Sequence, residues 1–258
     1  MIKINTEELL YLEKLPVTGF NNGGTIYIKD TDTLYKIYDI PIFMREREQN
    51  INYMIRTGFI ENSGTPIEKI ITEDGQLAGF SMKYYHNCKS FRELIYDSEI
   101  PFEERKKYIK DIFLQIRELH SRGIILHDVH LDNMIANNNG HLIDLDEIVL
   151  PGNELKFKQY YTIAKSKDHP FKNVCTIETD NIKATINGLS ILYNFDFETA
   201  MIRSGGLKEF LENIGIFFSK DLLEYLKIIF EMESVIYFDE ILDSLYESNN
   251  ENYKKIRK

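Results

Sequence analysis

The sequence predicts an α+β fold in which a small, mostly antiparallel sheet precedes a mainly helical region. Three observations carry this. Between residues 25 and 84, short alternating or apolar runs are separated by turns rich in Asp and Gly, the pattern of strands. After Phe91 the apolar residues fall at helical spacing over long stretches. Between two of those stretches, Gly123 to Asp146 packs Asp128, His130, Asn133, Asp144 and Asp146 among short apolar runs.

Taken in order, residues 6–14 read as a short lead-in helix or turn. Thr18 to Ile28 is glycine-rich, with Gly19, Gly23 and Gly24 around Asn21. Thr25 to Ile28 is predicted as a strand, 29–32 as a turn, and Leu34 to Tyr38 as the next strand. Lys36 lies within that alternating apolar run, where a charge requires a partner. Pro41 to Arg56 is predicted helical, with Met44, Glu48, Ile51 and Ile55 on one face at helical spacing. Glu48 therefore points with the apolar stripe toward the sheet, and Glu46 lies away from it. Thr65 to Ile71 and Leu77 to Tyr84 read as two strands joined through Glu73-Asp-Gly75.

The second region opens at Phe91 to Tyr96. Phe102 to Arg122 is a long amphipathic helix whose buried stripe is Tyr108, Ile112, Ile116 and Leu119. Gly123 stops it. Ile124 to Leu126 is expected to be a strand entering a polar loop, and Met134 to Ala136 a strand leaving it. Asn137 to Gly140 is expected to turn the hairpin through residues that tolerate positive φ. Leu142-Ile143 returns, with Asp144 at its end. Asp128, Asn133 and Asp144 then converge at one end of a small sheet, a set of hard oxygen donors suited to Mg²⁺. Glu147 to Thr179 is long and irregular, with a lysine-rich middle over 156–172. A buried helix is expected over 179–193, and two or three more over 207–247.

These residues, in this order, resemble the protein kinase-like superfamily. That family carries a catalytic-loop Asp, an Asn five residues later and a metal-binding Asp after a hairpin; here Asn133 follows Asp128 by five, and Asp144 follows the hairpin. The resemblance implies a two-lobed protein kinase-like fold, with a small antiparallel β N-lobe over residues 1–85 and a mainly helical C-lobe over 86–258. Gly19 and Gly24 match the first and third glycines of the phosphate-covering loop, Asn21 replaces the middle one, and Ile26 matches its Val. By the same resemblance Lys36 holds the α- and β-phosphates of ATP and pairs with Glu48, Glu46 being second choice. Met82 is the gatekeeper, Lys83, Tyr84 and Tyr85 meet adenine through their backbone, and 84–89 is the hinge. Asp128 is the catalytic carboxylate, Asn133 and Asp144 hold Mg²⁺, and His130 contacts the γ-phosphate or the acceptor. Asp146 either joins the metal site or caps the following turn. Asp180 either braces the catalytic loop or is a helix N-cap.

The sequence departs from protein kinases in places. Leu126 stands where they carry His, Asp146 where the Gly follows the metal Asp, and no Ala-Pro-Glu occurs in 147–179. His130 replaces their Lys, as is common in aminoglycoside and choline kinase-like enzymes. The implied activity is ATP- and Mg²⁺-dependent phosphoryl transfer to a hydroxyl. It reads first as that of a protein serine/threonine kinase, next as that of a small-molecule kinase. A nucleotide-binding pseudokinase ranks last, because Lys36, Asp128, Asn133 and Asp144 are all present.

Composition bounds the rest. The chain has 258 residues and a formal net charge of −10, which gives no electrostatic case for nucleic acid or anionic membrane as main partner. No run approaches the roughly 20 apolar residues of a membrane span. The two cysteines, Cys88 and Cys175, have neither metal nor disulfide spacing, and with no signal-like N-terminus this points to a reducing, cytoplasmic setting.

Overall fold

The computed structural model describes residues 1–16, 24–39, 44–58, 60–152, 175–204, 207–214, 218–231 and 234–245. The lysine-rich stretch 156–172 and the glycines Gly19 and Gly23, with Asn21, lie outside them. Among the described residues the chain is a mixed α+β molecule, with a sheet in its N-terminal part and helices dominating after residue 91.

The larger sheet has six strands: β1 (Ile2–Lys3), β2 (Glu13–Lys14), β3 (Thr25–Ile28), β4 (Thr33–Ile37), β5 (Glu68–Ile71) and β6 (Leu77–Lys83). Their spatial order is β1-β5-β6-β4-β3-β2. The β1–β5 pair is parallel and the other neighbours are antiparallel. Before β2 comes a single turn of helix, α1 (Thr6–Leu9), begun by a capping box from Asn5 and Glu8. β4 lies inside the sheet, so Lys36 is opposite Ile26 on β3 and Phe80 on β6. Two-residue alternation gives this sheet two apolar faces. Leu34, Phe80 and Met82 pack with Ile51 of α2 (Met44–Thr57) on one side, and Tyr27, Tyr35, Ile70 and Ile4 on the other. Lys36 shares its side of β4 with Leu34, under α2.

The second sheet is small: β7 (Lys89–Ser90), β8 (Met134–Ala136) and β9 (Gly140–Leu142), antiparallel throughout. α3 (Phe91–Leu94) follows β7, and α4 (Phe102–Ser121) packs along β9. The side chain of Gln115 on α4 donates to the Gly140 carbonyl at 2.8 Å and accepts from the Leu142 amide at 2.8 Å. The hairpin turn is made differently from expectation. None of residues 137–140 has positive φ; instead the Asn137 side chain accepts from the Asn139 amide at 3.1 Å. Gly140 is needed because a Cβ there would strike the Tyr108 carbonyl of α4.

α5 (Ile177–Tyr193) crosses the C-terminal core almost wholly buried; α6 (Phe197–Arg203) and α8 (Lys220–Phe230) pack on it, and α7 (Leu207–Ile214) packs on α6. The predicted stripe of α4 is buried, with Tyr108, Ile112, Ile116 and Leu119 all in the main core. Met54 and Ile60, at and beyond the end of α2, are part of that same core. Thus α2 touches the sheet at Ile51 and the helical core at Met54. No helix among the described residues is long and apolar enough to cross a membrane.

Candidate functional site

The polar loop begins where α4 ends, at Gly123 with φ 72°. The expected strand over 124–126 reduces to one bridge, Ile125 to Val149. What fixes the loop is Asp180 of α5. Its buried carboxylate accepts the Leu126 amide at 2.5 Å and the His127 amide at 3.1 Å, and faces His120 Nε2 at 3.3 Å. The N-cap of α5 is Thr176, so of the two roles open to Asp180 the structure selects the brace. Lys183, one turn along α5, donates to the His127 carbonyl at 3.0 Å. His127 itself takes positive φ, 65°, and redirects the chain so that Asp128 leaves the core.

Asp128 is held from two sides. The Asn133 amide group donates to its carbonyl at 3.0 Å and to its carboxylate at 3.1 Å. In the neutral ring His130 Nδ1 accepts the Asp132 amide at 3.2 Å and Nε2–H faces the Asp128 carboxylate at 3.2 Å; in the protonated ring Nδ1–H faces the Asp132 carboxylate, 3.6 Å away. Burial pulls the His130 imidazole toward the neutral form, but the Asp128 hydrogen bond and the charges of Asp128, Asp132 and Asp144 outweigh it, and its pKa is raised. Asp132 is committed to Arg92, with both carboxylate oxygens 2.8 Å from Nε. The backbone carbonyl of Asn133 accepts the Ile143 amide at 2.9 Å, which brings Asn133 beside the base of Asp144.

Asp144, with φ 63°, leaves the hairpin in the left-handed region and turns toward β4. Lys36, only 4% exposed, pairs with it and donates to Asp146 at 2.8 Å. These contacts join β4 to a segment 108 and 110 residues later. Asp146 is 0% exposed and fully partnered. Tyr38 donates to its second oxygen at 2.7 Å, Arg47 Nε lies 3.8 Å from that oxygen, and Asn50 donates to its carbonyl at 2.9 Å. Asn50 also donates to the Ile148 carbonyl at 2.8 Å, and Arg47 pairs with Glu147. Desolvation raises the Asp144 carboxyl above its ordinary range, opposed by Lys36 and helped by the Asp146 charge. Asp146 faces the same desolvation, yet Lys36 and the hydrogen bonds from its neighbours hold it below the usual range.

One expected pair is not formed. Glu48 lies 2.7 Å from Lys69 on β5, with its side chain 42% exposed. The buried face of α2 is Arg47, Asn50, Ile51 and Met54, turned from the expected stripe of Met44, Glu48, Ile51 and Ile55. Ile51 belongs to both stripes, but two buried polar residues, Arg47 and Asn50, take the inward positions that a purely apolar count assigns elsewhere.

Of the other expected nucleotide contacts, Gly24 abuts β4, where a Cβ would collide with the Ile37 carbonyl. Ile26 and Met82 line the apolar side of the sheet that carries Lys36. The Tyr84 amide is taken by the Asp32 carbonyl at 2.8 Å, so Tyr84 could meet a ligand only through other atoms. Lys83 sits 5.2 Å above the Tyr85 ring, which stacks on His141. Reading the residues alone missed Tyr38, Arg47 and Asn50. Tyr38 lies two residues beyond Lys36, just past the end of β4, and that spacing was the available signal.

No group of three His, Cys, Asp or Glu side chains among the described residues is arranged to hold a metal by itself. The donor set nevertheless fits Mg²⁺, which takes one or two protein oxygens and completes its shell with water and phosphate. Asp144, whose side chain is 38% exposed, and the adjacent Asn133 supply such oxygens. No protein-family model matches the chain, and no curated protein matches it.

Proposed function

We propose that this chain is an ATP- and Mg²⁺-dependent phosphotransferase that moves the γ-phosphoryl group to a hydroxyl, foremost of a protein serine or threonine. The observation that carries this reading is that Lys36 pairs with Asp144, while the Ile143 amide, one residue before Asp144, bonds to the carbonyl of Asn133, whose side chain grips Asp128. A buried cation from the sheet facing carboxylates from a later hairpin supports the reading, because phosphoryl transfer is catalysed mainly by positioning and charge neutralisation.

In this proposal Lys36 holds the α- and β-phosphates, exchanging its contact with Asp144 for phosphate oxygens. Asn133 and Asp144 hold Mg²⁺, which when bound neutralises phosphate charge. Asp128 orients the acceptor hydroxyl and takes its proton. The hydroxyl oxygen bonds to the γ-phosphorus while the bond to the oxygen bridging to the β-phosphate breaks, and ADP carries that electron pair away. His130 Nε2–H, 3.2 Å from Asp128, keeps the carboxylate aimed, and its cationic form favours an approaching γ-phosphate. The imidazole in this place, directly on the catalytic carboxylate, also favours a second acceptor class, a small amino alcohol or aminoglycoside. The reading goes with a cytoplasmic location, where ATP is at hand.

The test is transfer of label from γ-labelled ATP with Mg²⁺ to the chain itself, to a generic protein acceptor and to a panel of aminoglycosides and amino alcohols. Wild type should label at least one. Asp128→Asn, nearly isosteric, should lose about 10²–10⁴-fold in rate and keep Mg-ATP binding. Wild-type turnover in Asp128→Asn would reject the assignment.

A further inference from the structure

We propose that Asp146 is the positioning residue for Lys36, doing from the segment after the hairpin what was expected of a glutamate on α2. This rests on the phosphotransfer reading above and adds to it the part that holds the phosphate-binding lysine.

The two aspartates beside Lys36 differ in a way that divides their labour. Asp144 keeps 38% of its side chain exposed and can turn to a cation without opening the core. Asp146 has none exposed, and each of its oxygens is engaged: one by Lys36 at 2.8 Å, the other by Tyr38 at 2.7 Å with Arg47 Nε beyond at 3.8 Å. With none of its surface exposed, Asp146 is closed to a metal from solvent unless the packing around it opens. An ammonium has three donors. With one kept on Asp146, the other two can serve Asp144 or phosphate oxygens.

Asp146 is itself held by α2, through the backbone rather than a second carboxylate. Asn50 donates to the carbonyls of Asp146 and Ile148, at 2.9 and 2.8 Å, and Arg47 pairs with Glu147. The guanidinium of Arg47 also stacks over the Tyr38 ring, 4.6 Å from its centroid. Met54 fixes the far end of the same helix in the helical core. Lys36, Asp146 and α2 thus form one unit, and Glu48 is spent on Lys69 outside it.

A double-mutant cycle in Mg-ATP affinity, read by titration calorimetry, tests this without an acceptor. Lys36→Met and Asp146→Asn should each weaken binding on the order of tenfold, as expected for loss of a charge-assisted hydrogen bond. The double variant should bind no worse than Lys36→Met, because Asp146 acts through the lysine. Glu48→Gln should stay within about twofold of wild type. A merely structural or metal-binding Asp146 would give additive losses, and that result overturns the proposal. So does a loss in Glu48→Gln equal to that in Lys36→Met. If Asp146→Asn shows no cooperative urea transition, Tyr38→Phe replaces it. That variant should weaken binding by roughly two- to fivefold, and the effect should vanish in the Lys36→Met background; persistence there rejects the anchor. Failure of wild type alone to bind Mg-ATP strikes the phosphotransfer reading itself and removes the positioning role with it.

Discussion

His130 is the residue whose charge most directly addresses Asp128, and its titration is open to measurement. Desolvation favours the neutral ring, but the hydrogen bond and charge of Asp128 prevail and raise its pKa above 6.5. Between the unfolded value and the raised folded value the native state binds more protons, so stability falls as pH rises there. The contribution is fully present below about pH 6.5 and lost as pH climbs through the folded value. Comparing urea midpoints of wild type and His130→Gln from about pH 6 to about pH 9 should show an advantage of wild type that shrinks with pH. An advantage that grows with pH, or none at any pH, would mean that the pair with Asp128 is not formed. At this scale the sequence displayed Asp128, Asn133, Asp144 and Lys36, since polar residues interrupting apolar runs are conspicuous. It did not display Asp146 as the partner of Lys36. A carboxylate 110 residues away is brought near by tertiary packing, which residue spacing cannot encode.

The elements divide in the same way. α4 was legible from its stripe and its stop because both are local: four apolar residues at helical spacing, then Gly123. That stop uses φ 72°, and a Cβ there would also lie 3.2 Å from Pro151 Cγ. Gly123→Ala should therefore cost about 1–2 kcal/mol, read as a lowered urea midpoint with unchanged slope. An unchanged midpoint would mean that the left-handed turn is not required. β3, β4, β5, β6 and β8 were legible from alternation and turns, while β9 begins at Gly140, inside the expected turn, and ends at Leu142. β1, β2 and β7 have two residues each, too few for any period, and they exist through pairing with longer strands. The face of α2 was misread by a rotation because Arg47 and Asn50 point inward. Buried polar groups are admitted only when their partners are present, and those partners, Asp146, Glu147 and Ile148, come from another region of the chain.

On the scale of the molecule, two of the joints between the six-stranded sheet and the helical core bear on the site. One is α2, packed on the sheet by Ile51 and in the helical core by Met54. The other is the ionic cluster of Lys36, Asp144 and Asp146, which places a buried cation next to an accessible carboxylate at the sheet's edge with the polar loop. Burying the Lys36 ammonium has a desolvation cost that its two carboxylate partners offset, and phosphate oxygens would be further partners for it. The measurement that bears most directly on this account is the melting temperature of the chain with and without Mg-ATP. At a concentration about 100 times the dissociation constant, binding should add about 2.7 kcal/mol and raise the melting temperature by about 5–10 °C, while Asp144→Asn should lose most of that rise. A wild-type melting temperature that stays unchanged through millimolar Mg-ATP would contradict it.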